Sequence, residues 1–310
     1  MDLGVVGTGN MGRNHVRIYS ELKDVDRVFV YDVDARSSEK AAEAFGAEAC
    51  GSLASLFESV DAVSICVPTT YHFDTAKEAI KSGVHTLIEK PIASTAKEGE
   101  ELLKIIPEDL VVGVGHIERF NPIIREIKNL ISHPRYMEIR RHNPASSRIT
   151  DAGVVIDLMI HDIDIVWNEL FTGCDGAEMY SVGDGDLYKK VAKLDGCVVS
   201  LSASRVACRK IRTIHIEEEG VTIEGDFMNQ EVYIYRKPGQ YSEKNGRYSQ
   251  ENIIEKVLIN RVEPLKEELK TFVDCVKAGR PFPITPAQAV QNLKIAESSG
   301  WSGHNGNTKF

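Results

Sequence analysis

A lysine, an aspartate–histidine pair and a glycine-rich loop are the residues of this 310-residue chain whose types and spacing could do chemistry. Lys90 stands in Leu87-Ile88-Glu89-Lys90-Pro91-Ile92-Ala93, directly after an apolar run over 84–88 that reads as a buried parallel strand. Its ammonium group is therefore expected at a strand's carboxyl end, where open α/β sheets bind ligands. Pro91 predicts a sharp turn that holds the group in one direction. In Gly153-Val154-Val155-Ile156-Asp157-Leu158-Met159-Ile160-His161-Asp162-Ile163-Asp164 the apolar filling predicts a helix, on which Asp157 and His161, four apart, share a face. A carboxylate one turn from an imidazole orients it and favours its charged form, an arrangement suited to general acid–base work.

The glycine-rich loop is read with the elements around it. A short apolar strand over 3–6 runs into Gly7-Thr8-Gly9-Asn10-Met11-Gly12, which opens a helix reaching about Leu22. In this context Gly7 permits a tight turn, Gly9 lets the backbone approach a pyrophosphate, and Gly12 allows close helix–strand packing. The helix start supplies unpaired N–H groups and positive dipole. Asp32 ends the next strand, twenty residues beyond Gly12, where a carboxylate accepts hydrogen bonds from an adenosine ribose. A 2′-phosphate would sit against that carboxylate, so NAD is favoured over NADP. Arg36 reads as an exposed residue at a helix start.

These residues need scaffolds, and the pattern supplies two. Helices over 35–45, 71–82 and 96–106 alternate with strands over 62–66, 84–88 and 110–114, which predicts a doubly wound parallel sheet. Asn121 and Pro122 suit the N-cap and first position of a helix to about Ile131. From Ala177 onward, strands over 187–194, 197–204, 211–217, 221–224 and 231–235 predict an antiparallel open sheet in an α+β domain. Asp195-Gly196 and Glu219-Gly220 serve as its turns. Residues 240–250 read as a mobile polar loop, 263–278 and 286–297 as helices, and the tail from Gly300 shows no periodicity. The expected domains are 1–118, binding NAD, and 119–310, the α+β domain.

Composition narrows the class. Hydrophobic residues make up 42% and charged residues 27%, an ordinary globular balance. The 46 acidic and 37 basic residues leave a net charge of −9, which argues against a nucleic-acid partner. No apolar run is long enough for a membrane span, and the first residues enter a strand without signal-peptide features, so a cytoplasmic location is expected. Cys50, Cys66, Cys174, Cys197, Cys208 and Cys275 form no C-x-x-C pair, and no H-E-x-x-H occurs, so no metal site is expected.

Several stretches resemble, in order, motifs of the glucose–fructose oxidoreductase, inositol dehydrogenase and MocA family. They are Pro68-Thr69-Thr70-Tyr71-His72, with Val67 where the family has threonine; Glu89-Lys90-Pro91; Gly115-His116-Ile117-Glu118-Arg119-Phe120-Asn121-Pro122; and the D-x-x-x-H-D-x-D spacing from Asp157, where Ala152-Gly153 replaces a common double glycine. The resemblance implies an NAD-dependent sugar or cyclitol dehydrogenase, with Pro91 after a cis bond. Catalysis would fall to Lys90, Asp157 and His161. The cofactor would lie on Gly7, Gly9, Asn10, Met11, Gly12, Asp32, Pro68, Thr69, His72, Glu89 and Lys90, and the substrate on Arg119, Asn121, Asp157 and His161. The free face of the second sheet would form a homodimer or homotetramer. Residues 9–15 and 115–122 are similar to the branch that oxidises nucleotide sugars, the UDP-N-acetylglucosamine 3-dehydrogenases, for whose phosphates Arg119, Arg140, Arg141 and Arg148 are available. An inositol or free aldose is the alternative substrate, and a non-catalytic NAD-dependent sensor the alternative class.

Overall fold

Short apolar runs that alternate with amphipathic helices build the first sheet. They give β1 (Asp2–Val6), α1 (Asn10–Glu21), β2 (Arg27–Tyr31), α2 (Ala35–Phe45), β3 (Glu48–Ala49), α3 (Leu53–Phe57), β4 (Ala62–Ile65), α4 (His72–Lys81), β5 (His85–Glu89), α5 (Ala96–Leu103) and β6 (Val112–Gly115). The order β3-β2-β1-β4-β5-β6, parallel throughout, puts β1 beside β4 at the point where the winding reverses. Every residue of β4 is buried, as a strand covered on both faces requires. Asp34 and Thr95 cap α2 and α5 by accepting from backbone N–H groups, and Gly46, at φ 70°, ends α2 in the left-handed region.

The computed structural model describes residues 1–144, 153–174, 177–237, 242–244, 247–249 and 253–298. Arg148, Ala152 and the tail from Gly300 lie outside the described residues. Two units result: Met1–Phe120 with Glu263–Lys294, and Asn121–Val262 with the residues from Ile295.

The second unit opens with α6 (Pro122–Leu130), for which Asn121 is the N-cap, and β7 (Tyr136–Pro144). A π-turn over Val155–Met159 leads into α7 (Ile160–Ile165), and a second follows over Val166–Leu170. The strands are β8 (Glu178–Gly183), β9 (Leu187–Leu194), β10 (Cys197–Ser204), β11 (Val206–Glu218), β12 (Val221–Asp226), β13 (Glu231–Arg236), β14 (Ser242–Lys244), β15 (Arg247–Ser249) and β16 (Ile253–Lys256). Seven of them join β7 in one sheet in the order β16-β13-β12-β11-β7-β10-β9-β8, in which only the β7–β10 pair is parallel. The Asp195-Gly196 turn has φ of 46° and 82°, the left-handed pair that a two-residue hairpin needs.

One face of this sheet is covered. Met137, Ile139, Leu201, Ile214, Ile216 and Val232 pack with Ile123, Ile127, Val155, Met159 and Ile163 in a single core. On the other face Tyr136, Glu138, Arg140, Thr213, His215, Tyr233 and Tyr235 line a depression of about 470 Å³.

Four expectations change. β7, which pairs with both β10 and β11, was not expected because its second half, Arg140-Arg141-His142-Asn143, is polar. The described part of 240–250 is an antiparallel ribbon, β14 with β15, rather than a loop without structure. The Asp157–His161 stretch is a π-turn entering an α-helix, so residues four apart do not stack as in a regular α-helix. The units divide differently from the expected 1–118 and 119–310: the first runs to Phe120 and takes in α8 (Pro264–Ala278) and most of α9 (Pro286–Glu297). Phe282, between those helices and 1% exposed, explains why. It occupies the space over Gly113 of β6, where an added Cβ would stand 2.3 Å from its ring, and burying such a side chain is worth ~1.5–3 kcal/mol. Among the described residues no helix is long and apolar enough to cross a membrane.

Candidate functional site

The glycine loop between β1 and α1 has the shape its spacing predicts. Gly7 has φ +88°, and a Cβ there would stand 2.7 Å from the Cys66 carbonyl oxygen. A Cβ on Gly12 would stand 1.8 Å from the Gly7 carbonyl oxygen, so α1 can approach the loop this closely only without a side chain. Gly9 differs: nothing lies within 4 Å of its Cβ position. Gly9 is also the N-cap of α1, and no side chain caps the helix start. The loop thus offers open space and helix N–H groups together, which is what a pyrophosphate needs. Asp32, at the end of β2, accepts from the Thr8 N–H at 2.7 Å and the Thr8 hydroxyl at 3.0 Å through Oδ2, and from the Asp34 N–H at 3.0 Å through Oδ1. These bonds bring the Asp32 carboxylate against the glycine loop. The residues fit an adenine dinucleotide.

Lys90 emerges at the carboxyl end of β5, half-buried, and its bond to Pro91 is cis. Its backbone N–H donates to Glu89 Oε2 at 3.2 Å, and Glu89 Oε1 accepts from His15 Nε2 of α1 at 3.0 Å. Burial pushes the Glu89 carboxyl up, but the His15 hydrogen bond, with the charges of His15, Lys90 and His72, outweighs it and leaves the pKa below the ordinary carboxylate value. Glu89 is 7% exposed and both its oxygens are engaged by the protein, so it supports Lys90 rather than offering itself to a cofactor. His72 is corrected in the same way. It is 1% exposed, with Nδ1 2.6 Å from the Pro91 carbonyl and Nε2 2.9 Å from the Val67 carbonyl. Pro68 and Thr69 remain at the surface of the turn after β4, Thr69 in a 3₁₀ turn over Thr69–Tyr71.

Two residues expected to hold substrate have structural partners. Arg119 Nη1 donates to Gln288 Oε1 at 3.2 Å and to the Pro283 carbonyl at 3.4 Å. Asn121 is 3% exposed; its Oδ1 accepts from the Ile123 N–H and its Nδ2 donates to the Phe227 carbonyl. Arg141 is not available for phosphate either. Its Nε and Nη2 donate to Asp162 Oδ1 at 2.9 and 2.7 Å, with the arginine 1% and the aspartate 0% exposed. Arg140, its neighbour in β7, points to the opposite face, into the depression on the open sheet.

In the second unit Asp157 and His161 are both half-buried on the π-turn and α7. Asp157 Oδ2 accepts from Arg205 Nη2 at 3.1 Å, so the carboxylate is oriented from the loop between β10 and β11. Asp162, next to His161, is fixed by Arg141, and Asp164 accepts from Asn168. The helix carrying His161 is thereby tied to β7. Such π-turns recur at functional sites. Arg205, His15 and Thr8 escaped the sequence reading; the one local hint was that His15 follows the glycine loop on the helix it opens. Among the described residues no three His, Cys, Asp or Glu side chains are grouped to hold a metal ion.

Comparison with known proteins agrees with this geometry. Residues 1–120 match the model of an oxidoreductase family with an NAD-binding Rossmann fold. UDP-N-acetylglucosamine 3-dehydrogenase from Acidithiobacillus ferrooxidans is 32% identical over 295 residues, 91% of this chain and 90% of that protein. Its solved structure superposes with a TM-score of 0.85, covering 96% of each chain. The scyllo-inositol 2-dehydrogenase (NAD(+)) of Bacillus subtilis is 26% identical, with 97% of this chain and 94% of that protein covered. The glycine loop, the lysine turn and a likeness that runs through both units lead to one conclusion: this chain is an oxidoreductase of the glucose–fructose oxidoreductase, inositol dehydrogenase and MocA family.

Proposed function

We propose that the protein oxidises a secondary hydroxyl of a nucleotide sugar, C3 of UDP-N-acetylglucosamine or a close analogue, with NAD. The observation that carries this reading is the likeness to the A. ferrooxidans enzyme, which extends over both units rather than the cofactor half alone. Asp32 at the end of β2 supports NAD over NADP, since a 2′-phosphate would meet its charge.

The acceptor for the hydride that leaves the carbinol carbon would be supplied by bound NAD. His161 accepts the hydroxyl proton, so the alcohol becomes a ketone with one proton left on the imidazole. The Lys90 ammonium donates a hydrogen bond to the carbinol oxygen as negative charge develops there. Asp157, held by Arg205, orients the imidazole or a neighbouring ring hydroxyl. A sensor would not need all three side chains, which favours an enzyme. A homodimer or homotetramer through the open face of the second sheet, and a cytoplasmic location, belong to the same reading.

The test is a panel of UDP-sugars, inositols and free aldoses mixed with purified protein and NAD, followed by nicotinamide absorbance. Reduction with UDP-N-acetylglucosamine is expected. Preference for an inositol would move the assignment to the other branch represented among the relatives, and tight NAD binding with no turnover on any substrate would favour a sensor. Light scattering of the same sample reads the oligomeric state.

A further inference from the structure

Lys90 projects from a turn whose backbone is held on both sides by buried side chains. On the amino side its own N–H donates to Glu89 Oε2, and His15 Nε2 engages the other oxygen of that carboxylate. On the carboxyl side the Pro91 carbonyl lies 2.6 Å from His72 Nδ1. The same ring reaches, through Nε2 at 2.9 Å, the Val67 carbonyl in the turn after β4. His15 and His72 are 0% and 1% exposed, so neither ring is open to a ligand.

We propose that His72, together with the His15–Glu89 pair, is a positioning residue: it joins the turn after β4 to the turn after β5 and fixes the direction in which Lys90 leaves the sheet. This rests on the reading above that Lys90 takes part in the reaction. Side chains do not otherwise reach across two neighbouring loops to backbone carbonyls without constraining both. A lysine has four rotatable bonds, so its ammonium group is no better placed than the backbone that carries it.

The ring nitrogens decide what the tie looks like. Two carbonyls face one imidazole, and a neutral ring carries a single N–H. The shorter contact assigns that proton to Nδ1, donating to Pro91. Burial lowers the His72 pKa; the two carbonyls and the Glu89 charge oppose this, and the nearby Lys90 ammonium adds to it. Proton gain at Nε2 would add a second bond, to Val67; the Pro91 bond alone joins the two turns, because His72 directly follows the 3₁₀ turn over Thr69–Tyr71.

Two measurements test the proposal. The first uses the wild-type protein with ¹⁵N-labelled histidine and reads the ring nitrogens of His72, assigned by its loss in His72→Gln, with no dependence on activity. Nδ1 is expected to be protonated at neutral pH and to stay so as pH falls, with Nε2 gaining its proton only in acid. A neutral ring protonated at Nε2 alone, or one titrating as an exposed histidine does, overturns the tie. The second compares His72→Leu with His72→Gln in steady-state turnover. His72→Leu should lower kcat about tenfold and leave KM for NAD within about threefold. His72→Gln, which can still donate one N–H to Pro91, should recover more than half of the loss. Wild-type kcat in a folded His72→Leu protein overturns the positioning role. If Lys90→Ala itself turns over normally, the reading of Lys90 fails, while the ring nitrogens still report separately on the tie.

Discussion

The glycine loop permits a test in which binding and folding separate, because its second and third glycines meet opposite surroundings. At Gly9 the Cβ position is open and the backbone, at φ −64° and ψ −165°, is extended, so alanine fits without strain. Two small terms oppose each other there. Loss of backbone freedom in the unfolded chain favours alanine by ~0.4–1 kcal/mol, and the poorer N-cap costs ~0.5–1 kcal/mol. Gly9→Ala should thus unfold within about 1 kcal/mol of the wild type. The same methyl group would fill the space a pyrophosphate needs, and a tenfold loss of affinity corresponds to ~1.4 kcal/mol. At Gly12 the methyl would collide with a backbone carbonyl 1.8 Å away, which neither a rotamer change nor a flexible neighbour can relieve. Gly12→Ala should lose about 3 kcal/mol of stability or more. Denaturant unfolding without ligand, paired with calorimetric titration of NAD, reads both quantities. The reasoning fails if Gly9→Ala binds NAD as tightly as the wild type, or if Gly12→Ala is as stable as Gly9→Ala.

Three further outcomes are expected. Lys90→Ala should slow turnover by at least about tenfold while NAD affinity, read by the same titration, survives. Asp162→Asn would leave the Arg141 guanidinium buried without its charged partner and should destabilise by ~3–5 kcal/mol; an effect below about 1 kcal/mol in urea unfolding would show that the pair does not fasten α7 to β7. Lys190, 1% exposed and donating to the Ile295 carbonyl at 2.7 Å, has its pKa pushed down to about 8 by burial. Between that value and the ordinary 10.5 the unfolded chain binds the extra proton, so this group makes the folded state gain stability as pH rises through the window, by ~3 kcal/mol in all. Lys190→Met should flatten that part of the stability–pH curve, and an unchanged slope would remove Lys190 as its source. The Ile295 carbonyl keeps a donor in that variant, the Ser298 hydroxyl at 2.8 Å.

The parts of this molecule that were legible in its sequence are those whose signals are local. Gly7, Gly9, Gly12 and Asp32 could be placed because a turn, a helix start and a strand end occur at fixed offsets along the chain, and the strands and helices around them alternate with clear apolar runs. What stayed hidden depends on partners far away in sequence. β7 looks polar because Arg141 faces the core, and Asp162, its partner, is 21 residues on. Arg205 reaches Asp157 across 48 residues, and nothing near either one announces the other. The motif at His72 suggests a cofactor contact, and nothing near it announces the carbonyls its ring reaches, one 19 residues ahead and one five residues behind. The π-turn at Val155–Met159 is invisible for another reason: its apolar filling is compatible with either helical pitch. An amphipathic pattern identifies α8 as a helix but says nothing of which core receives it.

The seat of Phe282 over Gly113 bears on how the protein is made. A ribosome releases residues in order, and the cofactor-binding sheet would be among the first parts to emerge. Its last layer, however, arrives with residues 263–294, after residues 121–262 of the second unit have been synthesised. A fragment ending at Phe120 would carry every strand of that sheet yet keep an apolar slot open to solvent, so it should aggregate or recruit a chaperone where the full chain does not. Nascent dehydrogenase, on this account, stays sticky until α8 and α9 have followed the second sheet.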